Sequence, residues 1–285
     1  MAETLSGGTG TDDAAPMQLA QQEDKLQEAQ PPQSDTTSDL PDTGLRIGGR
    51  IDDASVADAP APKTPAINRG YGDAIPEQVP THKNQIVSKR EWDAVRPEFE
   101  RVADEKPGKA YALAEIFAAE GGMRWDPGKV AYAGLTEQGM WRARQGKPDL
   151  KDVKHGEHMT PANIADAYSG YLDAMASRYG GWDKIEALKD QNSISAIADT
   201  FFREDNTGAV MVKDATTNTL DQVPADKRAK AGLPAQLTDD DPPTKTIEVL
   251  QRLHELGLSS AFRDSLIERR NLHRKGEKER NERYR

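Results

Sequence analysis

The chain has 285 residues, with 38 Lys and Arg against 48 Asp and Glu, 18 Pro and no Cys. Without cysteine there is no disulfide scaffold, no thiolate metal site and no Cys nucleophile, and no apolar run is long enough to span a bilayer. Charge is unevenly spread: residues 1–80 hold 5 basic and 14 acidic side chains, nine of the prolines and one aromatic residue, Tyr71, whereas residues 81–285 hold the other 33 and 34 and all four tryptophans. The first 80 residues are therefore expected to be a disordered acidic arm rich in Pro and Gly. Segments such as TSDLPDTG bury too little apolar area to offset roughly 1–2 kcal/mol of backbone entropy per residue. Only Met17–Gln30 has helix formers enough for a weak helix. The arm reads as a linker, with a tether or docking tail as its functional alternative.

From Ser88 onward the pattern is helical. Ser88 and Glu91 form a capping box ahead of Trp92, Val95 and Phe99. A second helix is predicted from about Lys109 to Glu120, with Ala110, Leu113, Ile116 and Phe117 on its apolar stripe and Gly121-Gly122 as its stop. Thr160-Pro161 opens a third, which runs to Tyr179. Shorter helices follow over Trp182–Leu188 and Ser193–Phe202, and two more run from Thr244 to Leu256 and from Ser259 onward. Residues 203–243 read as a long polar loop, with GAVMVK (208–213) as the best strand signal, though equally compatible with helix. The expected architecture is mostly α, divided into residues 81–205 and a C-terminal helical region, 206–285.

Glu120 is the residue best placed for chemistry. It is the last polar residue of its helix, ahead of two glycines and close to Trp125. A carboxyl there faces the negative end of the helix dipole, and burial among apolar groups would further disfavour its charged form. A general acid that protonates a glycosidic oxygen needs such a state. Gly121 and Gly122 would let a bulky sugar approach the backbone. An ordinary exposed Glu before a glycine cap is the plain alternative. Asp126, six residues on, is either a second carboxylate or the turn former of Asp126-Pro127-Gly128. Thr136 is a candidate for placing water. Asp199, in an apolar helix, reads as a buried hydrogen-bonding group. His155 and His158 lack further ligands for zinc, and no cofactor is expected. The tail Arg263–Arg285 has nine basic and five acidic residues. It reads as a solvated, mixed-charge helix before a polymer-binding one, and nucleic acid is not its expected partner.

The run Ala114-Glu-Ile-Phe-Ala-Ala-Glu120-Gly-Gly, then Asp126-Pro-Gly and Gly134-Leu-Thr136, resembles the opening of the glycoside hydrolase 108 family of N-acetylmuramidases. The segments Met159–Tyr168, Ser195–Phe202 and Leu266–Arg274 are similar to that family's later helices, in the same order. Met123, Lys129 and Ala131 depart from its pattern, and the loop before Asp126 is three residues shorter. The resemblance implies a lysozyme-like helical domain with an accompanying small peptidoglycan-binding region. It implies cleavage of the β-1,4 bond between N-acetylmuramic acid and N-acetylglucosamine, with Glu120 as the acid. Asp126 or Thr136 would assist, and Gly121, Gly122, Trp125 and Tyr132 would line the glycan cleft. Peptidoglycan strands are the expected partner, with a virion or envelope protein docked on the arm. The N-terminus MAETLSGGTG has no Sec signal pattern, so a virion-associated enzyme, or one delivered to the cell wall by another route, is expected. The alternatives are a lytic transglycosylase and an inactive, glycan-binding structural protein.

Overall fold

The computed structural model describes residues 70–80, 87–274 and 284, all within one compact unit. The expected helix at Met17–Gln30, nearly all of the predicted arm and most of the basic tail beyond Arg274 lie outside the described residues. Within residues 1–80, the last eleven do not behave as an arm. Ile75 is only 3% exposed, Trp92 Nε1 donates to the Pro76 carbonyl at 3.1 Å, and the Tyr71 hydroxyl donates to Glu186 at 3.2 Å. Ile75 and the partly buried Val79, with an indole in need of an acceptor, fasten this stretch to the helical body.

The described residues are mostly helical. Helix α1 (Lys89–Ala103) starts on the Ser88 capping box and carries Pro97 within it. Helix α2 (Pro107–Glu120) is central: every residue from Gly108 to Ala119 is buried, so the helix has no solvent face and the predicted stripe is only part of its contact surface. A two-stranded antiparallel hairpin follows, β1 (Trp125–Asp126) with β2 (Ala131–Tyr132), pairing Trp125 with Tyr132. Helix α3 (Glu137–Gly146) was not foreseen, since EQGMWRARQG buries only Met140 and Ala143. Helix α4 (Pro161–Ala176) starts on the Thr160 capping box, and α5 (Trp182–Glu186) follows Gly181.

Helix α6 (Gln191–Asp221) corrects the expected loop over residues 203–243. It runs through GAVMVK as helix, because Met211, Val212, Ala215 and Thr216 continue its buried face. The Thr216, Thr217 and Thr219 hydroxyls donate back to carbonyls four residues earlier, so its threonines need no other partner. The helix is interrupted once, at Asp205 (φ 44°, ψ −123°), which is also where residues 81–205 and 206–285 were divided. Helices α7 (Ala225–Lys230), α8 (Pro243–Glu255) and α9 (Ser259–His273) complete the order.

The C-terminal helices share the main core. Ile247 and Leu250 of α8 and Phe262, Leu266 and Ile267 of α9 are buried in one cluster with Trp92, Phe117 and Tyr168. A smaller cluster forms around Leu220, Val249 and Leu253. Asp199 is fully buried and paired with Arg270 at 2.8 Å, which ties α6 to α9. Helices α3 and α4 touch backbone to backbone: a Cβ on Gly170 would lie 2.5 Å from the Ala143 carbonyl oxygen, and one on Gly146 would lie 2.8 Å from the Gly170 carbonyl carbon.

Candidate functional site

The C-terminal end of α2 is capped by backbone alone. Gly121 N–H donates to Ala118 and Gly122 N–H to Phe117, both glycines in the left-handed region at φ 85° and 77°. The chain then turns into the hairpin, which folds back over the helix end. Ala133 N–H donates to the Arg124 carbonyl at 2.9 Å, and the Tyr168 hydroxyl holds the Ala133 carbonyl at 2.5 Å. Gly134, at φ 73°, lies directly against Glu120, where a Cβ would come within 2.8 Å of the Glu120 Cβ. A side chain at 134 would therefore displace the carboxylate, which gives the Gly134-Leu135-Thr136 run a steric reason.

Between the hairpin, α3 and the interruption in α6 lies a cleft of about 610 Å³. Glu120 lines it, with its side chain 12% exposed. Its carboxylate accepts from Arg203 Nη1 at 3.3 Å, and the Arg203 side chain is 10% exposed. The surroundings of Glu120 are thus not purely apolar, as the sequence suggested: a guanidinium shares the site.

Gly121, Trp125, Asp126 and Thr136 also line the cleft. Trp125 is 36% exposed and packs against His155, 5.9 Å between ring centres. His155 Nε2 lies 2.7 Å from the Leu135 carbonyl, so this histidine braces the cleft wall. Asp126 is first of all a turn former. Its Oδ1 accepts from the backbone N–H groups of Gly128 and Lys129, and its other oxygen lies 4.0 Å from Lys129 Nζ. Thr136 caps α3, its Oγ1 accepting from Gly139 N–H at 3.1 Å, which leaves its own O–H proton available to the cleft.

Two expected cleft residues are elsewhere. Tyr132 is 5% exposed and packed into the core cluster, whereas its neighbour Ala131 lines the cleft. Burial, with Glu91 and Glu157 nearby, raises its phenol above the ordinary value. Gly122 faces Val87 and Glu91, not the cleft.

No sequence motif marks the opposite wall. Arg142 of α3 and Asp205 of α6 form an ion pair at 2.9 Å, and Arg124, Lys129, Arg203 and Arg274 line the same space. Five cationic residues and three acidic ones, Glu120, Asp126 and Asp205, face the cleft. The formal balance is positive in a chain that is acidic as a whole, and it favours an anionic ligand. Tyr171 closes the floor, its hydroxyl donating to the Phe201 carbonyl and its phenol raised by burial.

Among the described residues no group of three or more His, Cys, Asp or Glu is arranged to hold a metal ion, and no helix is long and apolar enough to cross a membrane. No protein-family model, no curated protein and no solved structure matches this chain.

Proposed function

We propose that the protein is a peptidoglycan-cleaving N-acetylmuramidase with a lysozyme-like domain, in which Glu120 is the general acid. The observation that carries this reading is the placement of Glu120. A nearly buried carboxyl group stands at the end of a buried helix and lines a cleft of about 610 Å³, with Gly121 and Gly134 keeping side chains away from it. In the reaction Glu120 gives its proton to the glycosidic oxygen between N-acetylmuramic acid and N-acetylglucosamine as the C1–O bond breaks. The Arg203 guanidinium then compensates the carboxylate charge left behind. Trp125 offers an exposed ring face at the groove rim for a sugar, and the excess of cationic side chains suits the carboxylates of muramic acid and its peptide stems. Thr136, which lines the cleft, would orient the attacking water through its O–H. The predicted acidic arm would tether the domain to a virion or envelope assembly.

A second reading has one observation in its favour. Asp126 spends one oxygen on its own turn, as expected of a structural Asp-Pro-Gly, so a second catalytic carboxylate is not required to explain it. A lytic transglycosylase needs none. There Glu120, after giving up its proton, takes one from the muramic 6-hydroxyl as that oxygen closes on C1, yielding a 1,6-anhydro sugar.

The test is digestion of purified peptidoglycan with muropeptide analysis, comparing the full chain with Glu120→Gln. Reducing-end muropeptides from the wild type alone support the hydrolase, and anhydro products support the second reading. Equal digestion by both proteins removes Glu120 from the chemistry. No digestion by either leaves a glycan-binding protein without activity.

A further inference from the structure

The interruption of α6 at Asp205 sits within the cleft wall, and the residues on either side of it are held from three directions. Asp205 has φ 44°, which places a non-glycine residue in a conformation that L side chains rarely adopt. Such a step persists only where its surroundings hold it. Here Arg142 of α3 pairs with the Asp205 carboxylate at 2.9 Å. Arg274, just past α9, donates through Nη2 to the Arg203 carbonyl at 3.1 Å. The same guanidinium meets Glu204 through Nε at 2.6 Å, and the Glu204 side chain is 3% exposed. Between these clamps, Arg203 points to Glu120.

An uninterrupted helix would not need this support. The three consecutive residues Arg203, Glu204 and Asp205 send their side chains to three different elements, α2, the end of α9 and α3. We propose that Arg203 is a positioning residue for the Glu120 carboxylate, and that Arg274 sets it by clamping the non-helical step of α6. The inference deepens the reading of Glu120 as the acid and rests on it. It also assigns the C-terminal segment a part in the active site. The resemblance to the muramidase family suggested an accessory glycan-binding region there, yet Arg274 itself lines the cleft. Positioning acts on the chemical step: a carboxylate free to rotate is still present when substrate binds, but seldom aimed at the glycosidic oxygen.

The experiment uses the full chain with Arg203→Gln, Arg203→Lys and Arg274→Gln, and three readouts. Release of reducing ends from soluble peptidoglycan chains gives kcat and KM, sedimentation with insoluble peptidoglycan gives binding, and melting temperature reports the fold. Arg203→Gln is expected to lower kcat about 10- to 100-fold, with a much smaller effect on KM and sedimentation, since four other cationic residues still line the cleft. Arg203→Lys, which keeps the charge but loses the fork, should fall between it and the wild type, and Arg274→Gln should lower kcat in the same sense. A wild-type kcat in Arg203→Gln, or a Lys variant no better than Gln, overturns the proposal. A readout independent of turnover separates this from failure of the muramidase reading. In protein carrying ¹³C-labelled glutamate, the Glu120 Cδ resonance, assigned by its loss in Glu120→Gln, should move in both Arg203→Gln and Arg274→Gln. If the wild type proves inactive, that resonance alone decides: movement in both variants sustains the positioning, and an unmoved resonance in either ends it.

Discussion

Two carboxylates stand at opposite ends of α2, and the contrast between them separates structure from chemistry. Glu186, at the N-terminal end, is 9% exposed and accepts from Gly108 N–H at 2.6 Å, Trp182 Nε1 at 2.9 Å and the Tyr71 hydroxyl at 3.2 Å. Its negative charge meets the positive end of the helix, and its oxygens are occupied by donors from three separate segments. Beside it, Lys109 is buried and locked to Asp173 at 2.6 Å, with burial pulling its amine below the ordinary value against that pairing. Both Glu186 and Lys109 are thus buried with partners for their polar atoms. Glu120 stands at the wrong end of the same helix for a structural anion, beside a groove and the guanidinium of Arg203, whose backbone carbonyl is held by Arg274. A charge that stabilises the fold is placed where the helix welcomes it, and the group proposed as the acid is placed where the helix does not.

Substituting each carboxylate in turn should separate the two roles. Glu120→Gln should reduce muropeptide release by about 10²–10⁴-fold, the usual span of general acid catalysis, with the melting temperature little changed. Glu186→Ala should do the reverse. Chemical denaturation is expected to show a loss of about 2–3 kcal/mol, since charge-assisted bonds disappear and buried donors lose their acceptor. Activity per folded molecule should persist. If Glu186→Ala abolishes turnover in a protein that is still folded, the division of labour between the two ends is wrong.

A third carboxylate extends the test to the start of α6. Asp190 is partly buried, which alone would raise its pKa. Hydrogen bonds with His254 and Ser193 and the charge of Arg263 outweigh that and hold it down to about 2. A folded-state value below the unfolded one contributes stability that is fully present above about pH 4 and is lost as pH falls towards 2. The stabilisation at neutral pH is about 2 kcal/mol by linkage. Asp190→Asn should therefore remove part of the acid dependence of unfolding, read from denaturation midpoints between pH 7 and pH 2. An identical pH profile in the variant would show that Asp190 contributes nothing to it. The smallest effect belongs to the cleft wall: Thr136→Val deletes the α3 cap, worth about 1 kcal/mol, whereas Thr136→Ser keeps it. If the hydroxyl also places water, turnover should fall in Val and survive in Ser.

Much of this fold was legible because helix ends carry local chemistry. Ser88 with Glu91, and Thr160 with Pro161, mark starts that the structure places at Lys89 and Pro161, and Gly121-Gly122 marks the end of α2. The failures have a common cause, in that tertiary packing overrode a local signal. Helix α3 buries two residues only, so no apolar period announces it. Residues 203–221 read as loop because Asp205 and Gly208 interrupt the pattern. Yet Gly208 is needed where the helix folds past its own bend, with a Cβ there only 2.7 Å from the Thr200 carbonyl oxygen. The site divided in the same way. Glu120 announced itself through a motif within a few residues, whereas Arg203 and Arg274 reach it from positions 83 and more than 150 residues away. No spacing rule connects such distant residues, and only the bend in α6 brings them to the groove.

The pair of glycines where α3 crosses α4 has a mechanical consequence. With Gly146 and Gly170 in backbone contact, α3 cannot slide or tilt against α4 without separating main chains that leave no room for even a methyl group. Arg142 and Thr136 ride on α3, so their side of the groove is a fixed jaw. The facing hairpin hangs instead from Gly121-Gly122 at one root and Gly134 at the other, all three at positive φ, and Val130 and Trp125 leave its outer edge in solvent. If the groove takes a glycan strand as proposed, any change of width would fall on the exposed turn of the hairpin around Val130, since its inner residues Ala131, Tyr132 and Ala133 are buried.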